Sequence, residues 1–315
     1  MTEKIAVIVN DFGSVVFDGM RLSVGADVEI LDVPGGCLCC SAIEDFQVAL
    51  RQVIERGAGR IFIEATGLAD AEQVQRDLAF MRFPIDSTLC VVDALNLHRF
   101  QKLFHIVNAQ IKAADFLLIS KSDLLSKRLE SKPDSLALLE QKLRTLNPRA
   151  ALTFLNKGRM DTAFLLQAFA PAERFVPNED ATEYSQEHFL PEHLLYDGIT
   201  AFRVHLPESV DFPTLERVLS NLPPNLVRLK GLVRLDSSPR PVLLNFVAGA
   251  WNYQPLAEDV ASETLSGAPN ELFAIGQHLT SDSMKSAWEA LGARLEAGTV
   301  RGLGVRDSED SHAHH

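Results

Sequence analysis

Residues 28–67, VEILDVPGGCLCCSAIEDFQVALRQVIERGAGRIFIEATG, hold one complete strand–turn–helix–strand passage. The aliphatic run at 28–33 reads as a strand, and so does the run at 60–65. Between them, residues 41–56 read as a helix, with Ile43, Phe46, Leu50, Val53 and Ile54 along one face. Ser41 and Glu44 fit a capping box at its start, and Gly57 can end it. Two strands joined by a helix are the unit of a parallel sheet, so this passage sets the class as α/β.

The same alternation runs outward in both directions. Residues 5–9 read as a strand before it; after it come a helix at 70–81 and a strand at 89–93. Helical stretches follow to 114, then a strand at 116–120, a helix at 135–146 and a short strand at 151–155. The expectation is a mostly parallel sheet covered on both faces, with ligand-binding loops at the carboxyl ends of its strands.

Composition shifts between Pro171 and Asp197. Glu173, Glu179, Asp180, Glu183, Glu187, Glu192 and Asp197 face the single base Arg174, with three prolines among them. This is the pattern of a linker or long surface connection. The order then becomes strand (199–205), helix (212–222), strands (227–235, 242–247, 251–254 and 272–275) and helix (282–295). That pattern predicts a smaller α+β domain with an antiparallel sheet. The expected organisation is an α/β domain at 1–170, an acidic linker at 171–197, an α+β domain at 198–300 and a polar His-containing tail at 301–315.

The chain has 315 residues, 30 Lys plus Arg and 42 Asp plus Glu, for a formal charge of −12. That length is enough for two cored domains. The acidic balance argues against a nucleic-acid-coating surface. No apolar run approaches the ~20 residues that span a bilayer, and no signal-peptide pattern opens the sequence. The expectation is a cytoplasmic protein with neither nucleic acid nor membrane as partner.

Three of the four cysteines, Cys37, Cys39 and Cys40, lie in the turn Gly35-Gly36-Cys37-Leu38-Cys39-Cys40 between a strand and a helix. A helix N-terminus favours thiolate over thiol, and three thiolates from one turn suit Zn²⁺ or another soft divalent ion. Redox thiols or semi-buried small side chains beside a turn are the alternatives. Ser120-Lys121-Ser122-Asp123 follows the apolar strand FLLI. A carboxylate there can accept from the ring N–H and exocyclic amine of guanine while the Lys stem lies along the base; the plainer reading is a helix N-cap. Glu64-Ala65-Thr66-Gly67 ends the strand IFIE, where a carboxylate and an approachable glycine suit a metal–phosphate site. Alone it reads equally as a strand end, a turn glycine and an N-capping Asp70. Asn10-Asp11-Phe12-Gly13 and Asp18 follow the first strand, where acids can contribute to a metal environment or make a polar loop.

Taken in order, IVNDFG with Asp18, GGCLCC, IEATGLAD, CVVDA, SKSD and LNPRA resemble the CobW/HypB/UreG class of P-loop GTPases, most closely its CobW branch of metallochaperones. ITAFRVHLP, LVRLKGLVRL and ELFAIGQHL are similar to the CobW C-terminal domain. The resemblance implies a P-loop NTPase-type sheet and a zinc-type metallochaperone or insertase coupled to GTP hydrolysis, with Mg²⁺ and a client metalloprotein. A homo-oligomer is compatible with it. It implies that Cys37, Cys39 and Cys40 hold the metal, that Ser120, Lys121 and Asp123 read guanine, and that Asp18, Glu64 and Gly67 couple phosphate to metal.

The sequence departs from that pattern in three places. None of its ten lysines follows a glycine, so it contains no Gly-x-x-x-x-Gly-Lys-Ser/Thr phosphate loop. Ser120 stands where Asn is usual, and Asp11 where Glu is commoner. The expectation is a chain without the first strand and phosphate loop, a shortened or wrongly started copy in preference to a natural loss, and hydrolysis-incompetent as it stands. The alternatives are a nucleotide-independent metal-storage or regulatory protein and, less favoured, a thiol oxidoreductase. His312, His314 and His315 fit either supplementary metal binding or a tag remnant. His98, His105 and His278 read as surface residues, and Trp251, Tyr253 and Trp288 as core of the second domain.

Overall fold

The computed structural model describes residues 4–10, 28–33, 43–128, 135–166, 197–256 and 269–298. The chain divides into two compact units, one of Met1–Gly67 with Leu194–His315 and the other of Leu68–His193.

In the first unit, β1 (Ile5–Asn10) lies between β2 (Val28–Val33) and β3 (Arg60–Glu64), parallel to both. Helix α1 (Ile43–Glu55) connects β2 to β3 and buries Phe46, Leu50 and Val53 of the expected face together with Ala49, while Ile54 is half-buried. Gly57 stops it: its φ of 81° is open to a residue without Cβ, and its N–H donates to Ile54 at 2.8 Å. Ser41 of the expected capping box lies outside the described residues.

The same unit contains a six-stranded antiparallel sheet in the order β10-β9-β8-β11-β7-β12. Its strands are β7 (Ile199–His205), β8 (Leu226–Val233), β9 (Val242–Val247), β10 (Ala250–Pro255), β11 (Glu271–Gln277) and β12 (Arg294–Gly298). Phe202, Val204, Leu229, Leu244, Phe246 and Leu272 form one core with Leu215 and Leu219 of the helix Phe212–Ser220 and Met284 and Trp288 of the helix Ser281–Trp288. Leu232, Leu243, Phe273 and Ile275 point the other way and are buried too, alongside Lys230 and Glu271. Both faces of the central strands therefore carry buried side chains, while the edge strand β10 is largely exposed.

Several expectations are corrected here. The last helix ends at Trp288, with one 3₁₀ turn at Glu289–Leu291, and residues 294–298 form an edge strand paired with β7. Gly292, left-handed at φ 64°, breaks the helix, and strand pairing then outweighs the helix propensity of the Leu-Glu-Ala stretch. Asp197, the final acid of the predicted linker, is fully buried at the start of β7; the other acids of that stretch lie outside the described residues. Trp288 is core, whereas Tyr253 is 41% exposed, stacked on Trp251 along the edge strand β10.

In the second unit, β4 (Leu89–Asp93), β5 (Phe116–Ser120) and β6 (Ala151–Phe154) form a parallel sheet in that order. Its helices are α2 (Ala71–Phe80), α3 (Leu97–Leu103), α4 (Ile106–Ala113), α5 (Ser122–Arg128), α6 (Ser135–Leu146) and α7 (Thr162–Leu166). Leu117, Ile119, Ile111 and Leu143 are the centre of its core. Asp70 caps α2, accepting from the N–H of Gln73 at 3.1 Å. The helix α5 follows the stretch read as a possible helix N-cap, whereas α7 has no counterpart in the sequence reading. The parallel strands are thus found as two three-stranded sheets, β2-β1-β3 in the first unit and β4-β5-β6 in the second. Val91, on the edge strand β4, is 64% exposed. Among the described residues, no helix is long and apolar enough to cross a membrane.

Candidate functional site

The loop at 120–123 is the best defined part of the candidate site. It begins where β5 ends and is strapped to the strands on both sides. The Ser120 hydroxyl donates to the Val92 carbonyl of β4 at 3.2 Å, and the Ser120 carbonyl accepts from Ala94 N–H at 3.0 Å. The buried Ser122 hydroxyl donates to the Leu155 carbonyl beyond β6 at 2.9 Å. Ser120, in place of the usual Asn, therefore still ties the loop to β4.

Lys121 occupies the position before α5, with its carbonyl accepting from the N–H groups of Leu124 and Leu125 at 3.2 and 3.1 Å. Its side chain has no acceptor with which to cap a helix. Its φ is +59°, a left-handed conformation that costs a non-glycine residue on the order of 1–2 kcal/mol. Its ammonium meets Asp93 Oδ2 at 2.7 Å. Asp123 sits in the first turn of α5, and among the described residues its carboxylate has no hydrogen bond or ion pair. A loop held at three points, with one carboxylate left unused, is fitted to receive a ligand bearing adjacent N–H donors.

At the end of β3, Glu64 is exposed. Gly67 is also exposed, its φ is not left-handed, and a Cβ built there would meet nothing within 4 Å. The backbone itself does not require glycine at 67. A glycine in open space admits the close approach of a ligand. Thr66 between them is buried, and among the described residues its hydroxyl oxygen has no hydrogen-bond partner. Sequence reading passed over Thr66, because orphaning of a hydroxyl appears only once the fold surrounds it.

Cys37, Cys39, Cys40 and Asp18 lie outside the described residues. The ends of the strands that lead to them are described. Asn10, at the end of β1, is buried, and its side-chain amide donates to the Val33 carbonyl at the end of β2 at 3.0 Å. Cys90 on β4 is free, and burial pushes its thiol up to about 11. It stays protonated at neutral pH and is no thiolate ligand. Among the described residues no cluster of three His, Cys, Asp or Glu side chains could hold a metal ion. His98, His105 and His278 are exposed.

Comparison with known proteins fits the residues described. The CobW/HypB/UreG nucleotide-binding domain matches residues 1–154, and the cobalamin synthesis protein cobW C-terminal domain matches residues 199–292. The chain is 27% identical to zinc chaperone YjiA of Escherichia coli over 260 residues, 78% of this chain and 77% of YjiA. It is 25% identical to zinc chaperone CobW of Pseudomonas aeruginosa over 315 residues, 88% of this chain and 80% of the relative. Over 181 residues, 48% of this chain and 41% of the relative, it is 26% identical to zinc-regulated GTPase metalloprotein activator 1 of Saccharomyces cerevisiae. With both of its domains matched in order along the chain, the protein belongs to the CobW/HypB/UreG family.

Proposed function

We propose that this protein is a zinc chaperone whose hold on zinc is governed by guanine nucleotide and which passes the metal to a client metalloprotein. The observation that carries the reading is the loop at 120–123, fastened to β4 and to the end of β6, with the Asp123 carboxylate unengaged among the described residues. Family membership and relatives named as zinc chaperones support it.

Zinc is the cargo. Cys37, Cys39 and Cys40 supply three thiolates within four positions, a donor set that suits a soft, four-coordinate ion. Asp123 accepts from the guanine ring N–H and exocyclic amine, and the Lys121 stem covers the base. Glu64, Gly67 and Asp18 respond to the terminal phosphate. The orphaned Thr66 hydroxyl and the open space at Gly67 fit a phosphate with its Mg²⁺ at the end of β3. Mg²⁺, when bound, neutralises charge on the phosphates. We assign residues 1–170 to nucleotide and metal binding and 198–300 to the C-terminal domain. The sequence holds no Gly-x-x-x-x-Gly-Lys-Ser/Thr motif, so the reading rests on the base-reading loop and not on a phosphate loop.

Calorimetric titration of GDP and GTP, with Mg²⁺, into the zinc-loaded protein tests the proposal. Binding that Asp123→Ala abolishes is the expected result. Tight zinc binding with no response to either nucleotide overturns the nucleotide half and leaves a metal-binding protein.

A further inference from the structure

Asp93, the last residue of β4, is the acid of the CVVDA stretch, to which the sequence reading gives no role of its own. Its carboxylate nevertheless collects four donors. Oδ1 accepts from the backbone N–H groups of Leu95 at 2.9 Å and Asn96 at 3.2 Å. Oδ2 accepts from Asn96 Nδ2 at 2.9 Å and from Lys121 Nζ at 2.7 Å, across 28 residues of sequence. The turn after β4 thus fixes the carboxylate, and the carboxylate fixes the ammonium. The Asp93 side chain is 16% exposed and that of Lys121 is 41% exposed, so the ion pair forms at the rim with the lysine stem still open to solvent.

We propose that Asp93 is a positioning residue for nucleotide recognition: it anchors the head of Lys121 so that the stem lies ready as a platform for a purine base beside Asp123. The assignment rests on the guanine reading above. A lysine stem free to rotate gives up conformational entropy when a base lands on it; a stem already anchored at its head has given up most of that beforehand. Anchoring also keeps a left-handed residue in place at the mouth of the loop. Asn96 is the second support, because its amide and its backbone N–H both reach Asp93.

GDP titrations of the parent protein, Asp93→Asn, Lys121→Met and the double variant test the assignment, with thermal unfolding of each as a control. In Asp93→Asn the amide keeps an oxygen for the Leu95 and Asn96 N–H groups but turns its NH₂ toward the ammonium. GDP binding should weaken about tenfold while the melting temperature stays close to the parent value. Lys121→Met keeps the apolar stem and removes the head. On that background Asp93→Asn should change GDP affinity less than twofold, as a residue acting through Lys121 requires. The assignment is overturned if Asp93→Asn alone leaves GDP affinity unchanged, or if its penalty persists in full beside Lys121→Met, which marks a purely structural role. Parent protein that binds no GDP overturns the guanine reading itself and the positioning role with it. Parent binding abolished by Asp123→Ala keeps the two outcomes separate.

Discussion

The Asn10 side-chain amide donates to the Val33 carbonyl at 3.0 Å, joining the ends of two parallel strands at the point where both chains leave the sheet. Each strand leads into a segment to which the proposed function assigns chemistry: β1 toward Asp18 and β2 toward the three cysteines. The amide does what a further rung of the ladder would do, since parallel strands lose their backbone pairing at the last residue. Asn10→Ala leaves the buried Val33 carbonyl without that donor, at a cost of about 1–3 kcal/mol. Urea unfolding monitored by circular dichroism should show a lower midpoint with an unchanged slope.

Cys39→Ala and Cys40→Ala, made singly, should each lower zinc affinity by orders of magnitude, because a three-thiolate set reduced to two no longer fills the coordination sphere from one turn. A competition titration against a chromophoric chelator measures this. Cys90→Ala is the matched control: that thiol is held near 11 by burial, and zinc affinity should not move. Equal affinity in the Cys39 and Cys40 variants would remove the metal assignment.

Thr66→Val replaces an unpartnered buried hydroxyl with a methyl of similar size. In the nucleotide-free protein the change should be neutral or stabilising, by up to ~1 kcal/mol, because no hydrogen bond is lost and a desolvated oxygen is removed. If the hydroxyl serves the phosphate or its metal, Mg²⁺–GTP affinity should fall in the same variant. A rise in melting temperature paired with weaker nucleotide binding is the expected signature; a drop in melting temperature would show that the hydroxyl is already satisfied.

Two carboxylates contribute to the acid limb of stability. The Arg56 guanidinium, and then Lys4, hold Glu29 below the ordinary value of 4.5; His205 does the same for Glu296 through a 2.7 Å hydrogen bond. A depressed folded-state value means that the stabilisation is complete above about 4.5 and is lost as pH falls through the folded values. The urea midpoint should therefore hold from neutral pH down to that point and then decline. Glu296→Gln should lower the midpoint at neutral pH and flatten part of the decline. A variant with the same acid limb as the parent protein would remove Glu296 from the account.

Asn147 shows where sequence reading stops. It was legible only as part of LNPRA, yet its amide donates to the carbonyls of Ile111 at 2.8 Å, Lys112 at 3.2 Å and Ala114 at 2.8 Å, and its oxygen accepts from the N–H groups of Arg149 and Ala150. It closes the end of α4 against the end of α6. Asn147→Ala strands carbonyls at a buried helix terminus and should destabilise the protein by about 2–4 kcal/mol. A loss under 0.5 kcal/mol would mean that water replaces the amide.

The sequence by itself determined the family and most of the elements. The helix at 135–146 and the strands at 28–33, 89–93, 116–120, 199–205 and 242–247 have the observed bounds, because period and punctuation are local properties of the chain. The residue types at 37–40, 64–67 and 120–123 are legible in the sequence, and their roles come from the family resemblance that the motifs carry when taken in order. Tertiary structure alone decided which of those residues are engaged and which are open. Asp93 reaches Lys121 across 28 residues, Asn10 reaches Val33 across 23, and Thr66 is orphaned by what surrounds it. It also turned 294–298 from helix into strand, because β7 offered an open edge with which to pair. Each of these is a long-range hydrogen-bonding outcome, fixed by which backbone and side-chain groups the completed fold leaves within about 3 Å of one another.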